Sequence, residues 1–94
     1  MYLTYTRHRV KDYDTWRRVF DDNTGLLTDN GIKWVTVQVN GDPTDVAILC
    51  YCPAKESWDA FVAGNQAKWK SKGMNPQVEA GVIGQPEFWA GEIV

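Results

Sequence analysis

The pattern of apolar and polar positions is most informative between Ser57 and Met74, "SWDAFVAGNQAKWKSKGM". Trp58, Phe61, Val62 and Trp69 recur there at helical spacing and form one apolar stripe. At about 100° per residue, Asn65 falls near the centre of that stripe, one turn before Trp69. An unpaired buried amide costs roughly 1–3 kcal/mol. Asn65 therefore needs either a backbone partner in a filled core or a ligand in a pocket.

Elsewhere the same reading gives a complete element order. Residues 2–10, "YLTYTRHRV", suit a strand. His8 shares one strand face with Tyr2, Thr4 and Thr6, while Leu3, Tyr5, Arg7 and Arg9 take the other. Asp12 or Asp14 caps a helix in which Tyr13, Trp16, Val19, Phe20 and Leu27 recur at helical spacing. Gly25 weakens its later turns, and "DNG" at residues 29–31 stops it. Residues 32–40 form a second strand, "GDPTD" at 41–45 a turn, and 46–52 a third strand antiparallel to the second. A second helix runs from about Ala54–Ser57 to about Ser71 and is broken by "KGMNP". "QVEAGVIGQP" reads as irregular or as a short helical turn, and "EFWAGEIV" as the final strand. The expected fold is α+β: one ferredoxin-like β-α-β-β-α-β domain over residues 1–94, with an antiparallel sheet and both helices on one face.

The second sheet face is apolar as well. Lys33, Val35, Val37 and Val39 oppose Ile32, Trp34, Thr36 and Gln38; Ala47, Leu49 and Tyr51 oppose Val46, Ile48 and Cys50; Trp89 and Ile93 oppose Phe88 and Ala90. Both faces are apolar, and the simplest cover for the free one is the same sheet from a second copy, as an isologous homodimer. Composition points the same way. Five Trp, four Tyr and three Phe in 94 residues call for more buried surface than a small monomer offers.

A net charge of −2 with scattered basic residues argues against a nucleic-acid partner. No apolar run approaches the roughly 18 residues of a membrane span, and "MYLTYTRHRV" lacks the features of a signal peptide, so a cytoplasmic location is expected. Cys50 and Cys52 point to the same strand face, are too close in sequence for an unstrained bridge, and read as small buried residues. With His8 the only histidine, a metal site is not expected. Nucleophile motifs, phosphate loops and dinucleotide fingerprints are absent, so no tightly bound cofactor is expected.

Three residues are the candidate catalytic set. Asn65 would polarise a substrate oxygen, Trp69 would stack on a flat ring, and His8 would act as a base near neutral pH. Tyr5, Tyr51 and Phe61 are candidate substrate-binding residues. Each also has a plain structural reading as a packed or hydrogen-bonded side chain.

"RHRVKDYDTWRRVFDDN", "GDPTDVAILCY" and "MNPQVEAGVIGQPEFW" resemble small proteins of the dimeric α+β barrel superfamily, and specifically the antibiotic biosynthesis monooxygenase group. The resemblance implies a homodimer whose two sheets form a barrel and a pocket between sheet and helices in each protomer. It also implies an Asn and a Trp on the second helix facing that pocket, matched in type and spacing by Asn65 and Trp69. The implied reaction is oxidation of a small aromatic or polyketide-like compound by dioxygen without metal or flavin. Haem-degrading relatives carry an axial histidine near the second helix, and this chain has none after His8. An arginine of the later strands is also missing, since none follows Arg18. Two other functions use the same pocket: a non-catalytic ligand-binding or structural dimer, and a cyclase or isomerase working by proton transfer at His8.

Overall fold

The computed structural model describes residues Met1–Val94. Four strands, β1 (Tyr2–Val10), β2 (Lys33–Gln38), β3 (Asp45–Cys52) and β4 (Val82–Glu92), form one sheet in the order β2-β3-β1-β4. Every neighbouring pair is antiparallel. The helices α1 (Tyr13–Asp29) and α2 (Lys55–Ser71) lie on one face, joined by a short α3 (Pro76–Glu79). The ferredoxin-like β-α-β-β-α-β order expected from the sequence is present, with α3 as an extra turn before the last strand.

Local chemistry sets the boundaries. Asp12 caps α1 by accepting from the Thr15 backbone N–H at 2.9 Å. The β2–β3 connection turns through a short 3₁₀ segment, Val39–Gly41, with Asn40 (φ 54°) and Gly41 (φ 74°) in the left-handed region. Asp42 then closes it by accepting from the Thr44 backbone N–H at 2.8 Å. This turn shortens β2, which ends at Gln38 rather than near Asn40.

The last strand begins five residues earlier than "EFWAGEIV" suggests. Val82 pairs with Val10 and Ile83 with Arg9, but Glu87 pairs with Arg7. Gly84, Gln85 and Pro86 bulge out opposite His8, with Gly84 at φ 71°. Glycine supplies the backbone angle and proline lacks a ladder donor, which is why this stretch breaks the alternation that marks a strand.

Alternation along β1 and β3 sorts the side chains by face. Thr4, Val10, Val46, Cys50 and Cys52 are buried toward the helices, against Trp16 and Leu27 of α1. The opposite face has no helix on it. There Tyr5 stacks on Trp89 (5.0 Å between centroids, 14° between planes), and Val35, Val37, Ile83 and Trp89 remain 44–50% exposed. Arg7 grips Asp45 on that face through two hydrogen bonds of 3.0 and 2.7 Å.

Candidate functional site

Between the sheet and the helices lies a cavity of about 260 Å³. Its floor comes from Thr6 and His8 of β1, Ile48 and Cys50 of β3, and Val82 of β4. One wall is α1, with Trp16, Val19, Phe20, Asn23 and Leu27; the other is α2, with Trp58, Phe61 and Asn65. Pro76 and Gln77 of α3, with Ala80 just beyond it, close one end. The fold positions each side chain by period: alternate residues of the strands and residues three or four apart on the helices.

The walls are aromatic and ordered by mutual contact. Trp16 stacks on Phe20 at 5.4 Å and 14°, and meets His8 edge-on at 5.9 Å. Trp58 packs against Phe61 at 5.2 Å and stacks on Phe88 at 6.1 Å. Such offset and edge contacts suit the ring quadrupoles and hold the rings in place.

Two polar atoms in this apolar setting have no protein partner: Nε2 of His8 and Oδ1 of Asn65. Buried polar atoms are nearly always paired, so two orphans lining one cavity are groups available to a ligand. Burial pushes the His8 pKa below its ordinary value of 6.5, so its imidazole is neutral at neutral pH. Cys50 also lines the cavity, but burial raises its thiol to about 11. It is therefore a protonated and poor nucleophile. No three metal-ligating side chains converge anywhere in the chain.

The structure brings Asn65, His8 and Phe61 to one cavity. It separates the other sequence candidates from it. Trp69 is buried (6% exposed), and its indole N–H donates to Oδ1 of Asn23 at 3.2 Å. Trp69 thus braces the two helices, and it also lines a second, more open pocket together with Asn65, Met74 and Pro76. Trp16 and Trp58 provide the cavity's indole surfaces instead. Tyr5 and Tyr51 lie on the helix-free face of the sheet, opposite in alternation to Thr6 and Cys50. Beside the cavity wall, the Arg17 guanidinium donates to the Thr36 hydroxyl at 2.7 Å and sits over the Phe20 ring.

Asn23 carries the same signature in the sequence as Asn65, a polar residue inside an apolar helical stripe. It lies seven residues after Trp16 and four before Leu27, inside the apolar stripe of α1. Unlike that of Asn65, its amide oxygen is paired. Its Oδ1 accepts from Trp69 and from Lys68 (3.1 Å), and its Nδ2 donates to the Val19 carbonyl at 3.0 Å.

These features define an α+β protein of ferredoxin-like fold whose helix-to-sheet cavity holds two unpaired polar groups. Among solved structures, an antibiotic biosynthesis monooxygenase matches it with a TM-score of 0.75 at 11% identity, covering 100% of this chain and 99% of that one. SnoaB, a cofactor-independent oxygenase from Streptomyces nogalater, matches in an asparagine-to-alanine mutant. Its TM-score is also 0.75, at 8% identity, covering 98% of this chain and 91% of that one. No family model matches the sequence, and no curated protein matches it. The chain shares the fold of these two proteins.

Proposed function

We propose that this chain is a monooxygenase-like enzyme that oxidises a small aromatic or polyketide-like compound with dioxygen. The observation that carries the proposal is the pair of orphaned atoms, His8 Nε2 and Asn65 Oδ1, in a largely apolar cavity whose walls include Trp16, Phe20, Trp58 and Phe61. Flat apolar walls favour a flat apolar ligand, and the two orphans favour a polar substituent on it. The shared fold with two oxygen-using proteins adds support.

In this reading His8, neutral because buried, accepts a proton from an acidic C–H of the substrate. The same burial makes the imidazolium costly, so His8 holds the proton only transiently and the substrate must be readily ionised. The Asn65 amide, free of protein partners at its oxygen, steadies the substrate's oxygen substituent through its N–H₂ or orients a hydroxyl through its carbonyl. The substrate carbanion supplies the electrons to dioxygen. A new C–O bond gives a hydroperoxide, which loses water; one methylene and one dioxygen become one carbonyl and one water.

Dimerisation belongs to the same proposal. The helix-free face, with Val35, Val37 and Trp89 about half exposed, suits a second copy of the sheet.

The test is dioxygen consumption with an enolisable aromatic ketone. Uptake that disappears in Asn65→Ala is expected; no uptake across a panel of such ketones would sink the proposal. The second reading, a proton-transfer isomerase or cyclase, is favoured by the neutral His8 alone. It predicts turnover under anaerobic conditions that is lost in His8→Gln.

A further inference from the structure

We infer that the substrate is an aromatic acid: its ring sits in the cavity, and a carboxylate on a short arm passes Asn65 into a second hollow, where Lys70 binds it. This rests on the aromatic-oxidation reading above and names its substrate class. The hollow is open to solvent and lies along the last turns of α2. It is lined by Asn65, Gln66, Trp69 and Lys70 of that helix and by Asn75 and Pro76 beyond it. Asn65 and Pro76 also line the aromatic cavity, so the two spaces meet at these residues. Their chemistry differs. The cavity offers mainly rings and aliphatic groups, whereas the hollow offers amides and an ammonium group. An occupant of both has an apolar end and a polar end.

Lys70 decides the sign of the polar end. Lys55, on the same helix, pairs with Asp59 one turn later at 2.8 Å. The residues three and four positions from Lys70 are Gln66, Ala67, Gly73 and Met74, none of them acidic. No carboxylate lines the hollow, and Glu79 is the only acidic residue between Asp59 and Glu87. The neighbouring lysines are engaged elsewhere. Lys68 reaches the Asp22 carbonyl at 2.9 Å and the Asn23 oxygen at 3.1 Å. The Lys72 ammonium lies 4.9 Å from the centre of the Trp69 ring. The C-terminal carbonyls of α2, which would repel an anion, are covered. Ser71 donates to that of Lys68, Met74 to that of Trp69 and Gly73 to that of Lys70. Asn75 accepts at its side-chain oxygen from the Gln77 backbone N–H, which leaves its amide N–H groups to donate. A carboxylate in the hollow therefore meets a cation without an acidic partner, and no competing acid.

Calorimetric titration of the intact protein with naphthol, hydroxynaphthylpropanoate and the neutral hydroxynaphthylpropanamide tests this. The acid is expected to bind about fivefold tighter than the amide at low ionic strength. In about 1 M salt that advantage should vanish, because the pair is exposed to solvent. In Lys70→Gln the preference for the acid should fall to about one. Lys33→Gln removes the same charge from an exposed position on β2 and should keep the preference. Equal binding of acid and amide, with naphthol bound, would overturn the inference and leave the aromatic reading standing. Absence of binding by all three would overturn both. A preference that survives Lys70→Gln, or that Lys33→Gln lowers as much, would remove Lys70 from recognition and end the inference.

Discussion

The indole N–H of Trp69 donates to the side-chain oxygen of Asn23 at 3.2 Å, tying α2 to α1 behind the cavity. Lys68 reaches the same oxygen, and Asn23 in turn donates to its own helix at Val19. Asn23→Ala leaves the buried indole N–H without a partner and removes three bonds, so it should cost roughly 2–3 kcal/mol of stability. Trp69→Phe keeps most of the buried ring and loses one bond, and should cost about 1 kcal/mol. Urea unfolding of the two variants checks the order. Equal losses would show that ring burial and not the hydrogen bond governs this contact.

Asn65 should behave in the opposite way. Its Oδ1 is buried and unpaired, so Asn65→Leu is expected to raise stability by about 1 kcal/mol while abolishing ligand binding or turnover. A destabilised Asn65→Leu protein would mean that the amide is paired in solution, by water or by protein.

His8 couples stability to pH. Burial holds its folded pKa below the ordinary 6.5, so between those two values the unfolded chain binds more protons than the folded one. Stability is therefore full above about pH 6.5 and falls as pH drops through the folded pKa. His8→Gln should flatten that decline in thermal melts recorded from pH 7 to 5. A wild-type melting temperature constant over that range would contradict the buried, neutral histidine.

Asp45 sets a second, lower window. Its carboxylate is held below the ordinary 3.8 first by the hydrogen bonds from Arg7, against the opposing effect of burial. The folded state thus resists protonation, and the stability it contributes is present above about pH 3.8 and lost as pH falls through the folded value. Asp45→Asn should lose most of this acid-dependent slope and lower stability at neutral pH. An acid-unfolding midpoint unmoved by the substitution would remove the pair from any account of acid lability.

The apolar sheet face gives an association test. Val35 and Val37 are 47% and 44% exposed, and a lysine at either position costs little in a monomer. In a face-to-face dimer it buries an unpaired charge. Val37→Lys should therefore shift the sedimentation coefficient to that of a monomer without lowering helix content. A wild-type protein already monomeric at micromolar concentration would end the dimer proposal.

Element order, the two-faced sheet and the inward side of each helix were legible before any fold was known, because periods of two and of about 3.6 are written directly in residue spacing. Phe61 and Asn65 faced inward as expected, and His8 shared a face with Thr4 and Thr6. What period cannot say is what an inward side chain meets. Asn65 and Trp69 lie one turn apart on the same face of α2, yet one lines the cavity and the other contacts α1. That difference arises from how the two helices approach each other over the sheet. Residue spacing does not encode that approach, just as the bulge at Gly84–Pro86 interrupts the regular alternation that would mark the start of β4. The cavity is the space left by packing that α1, α2 and the sheet share, so no one element's sequence encodes its volume.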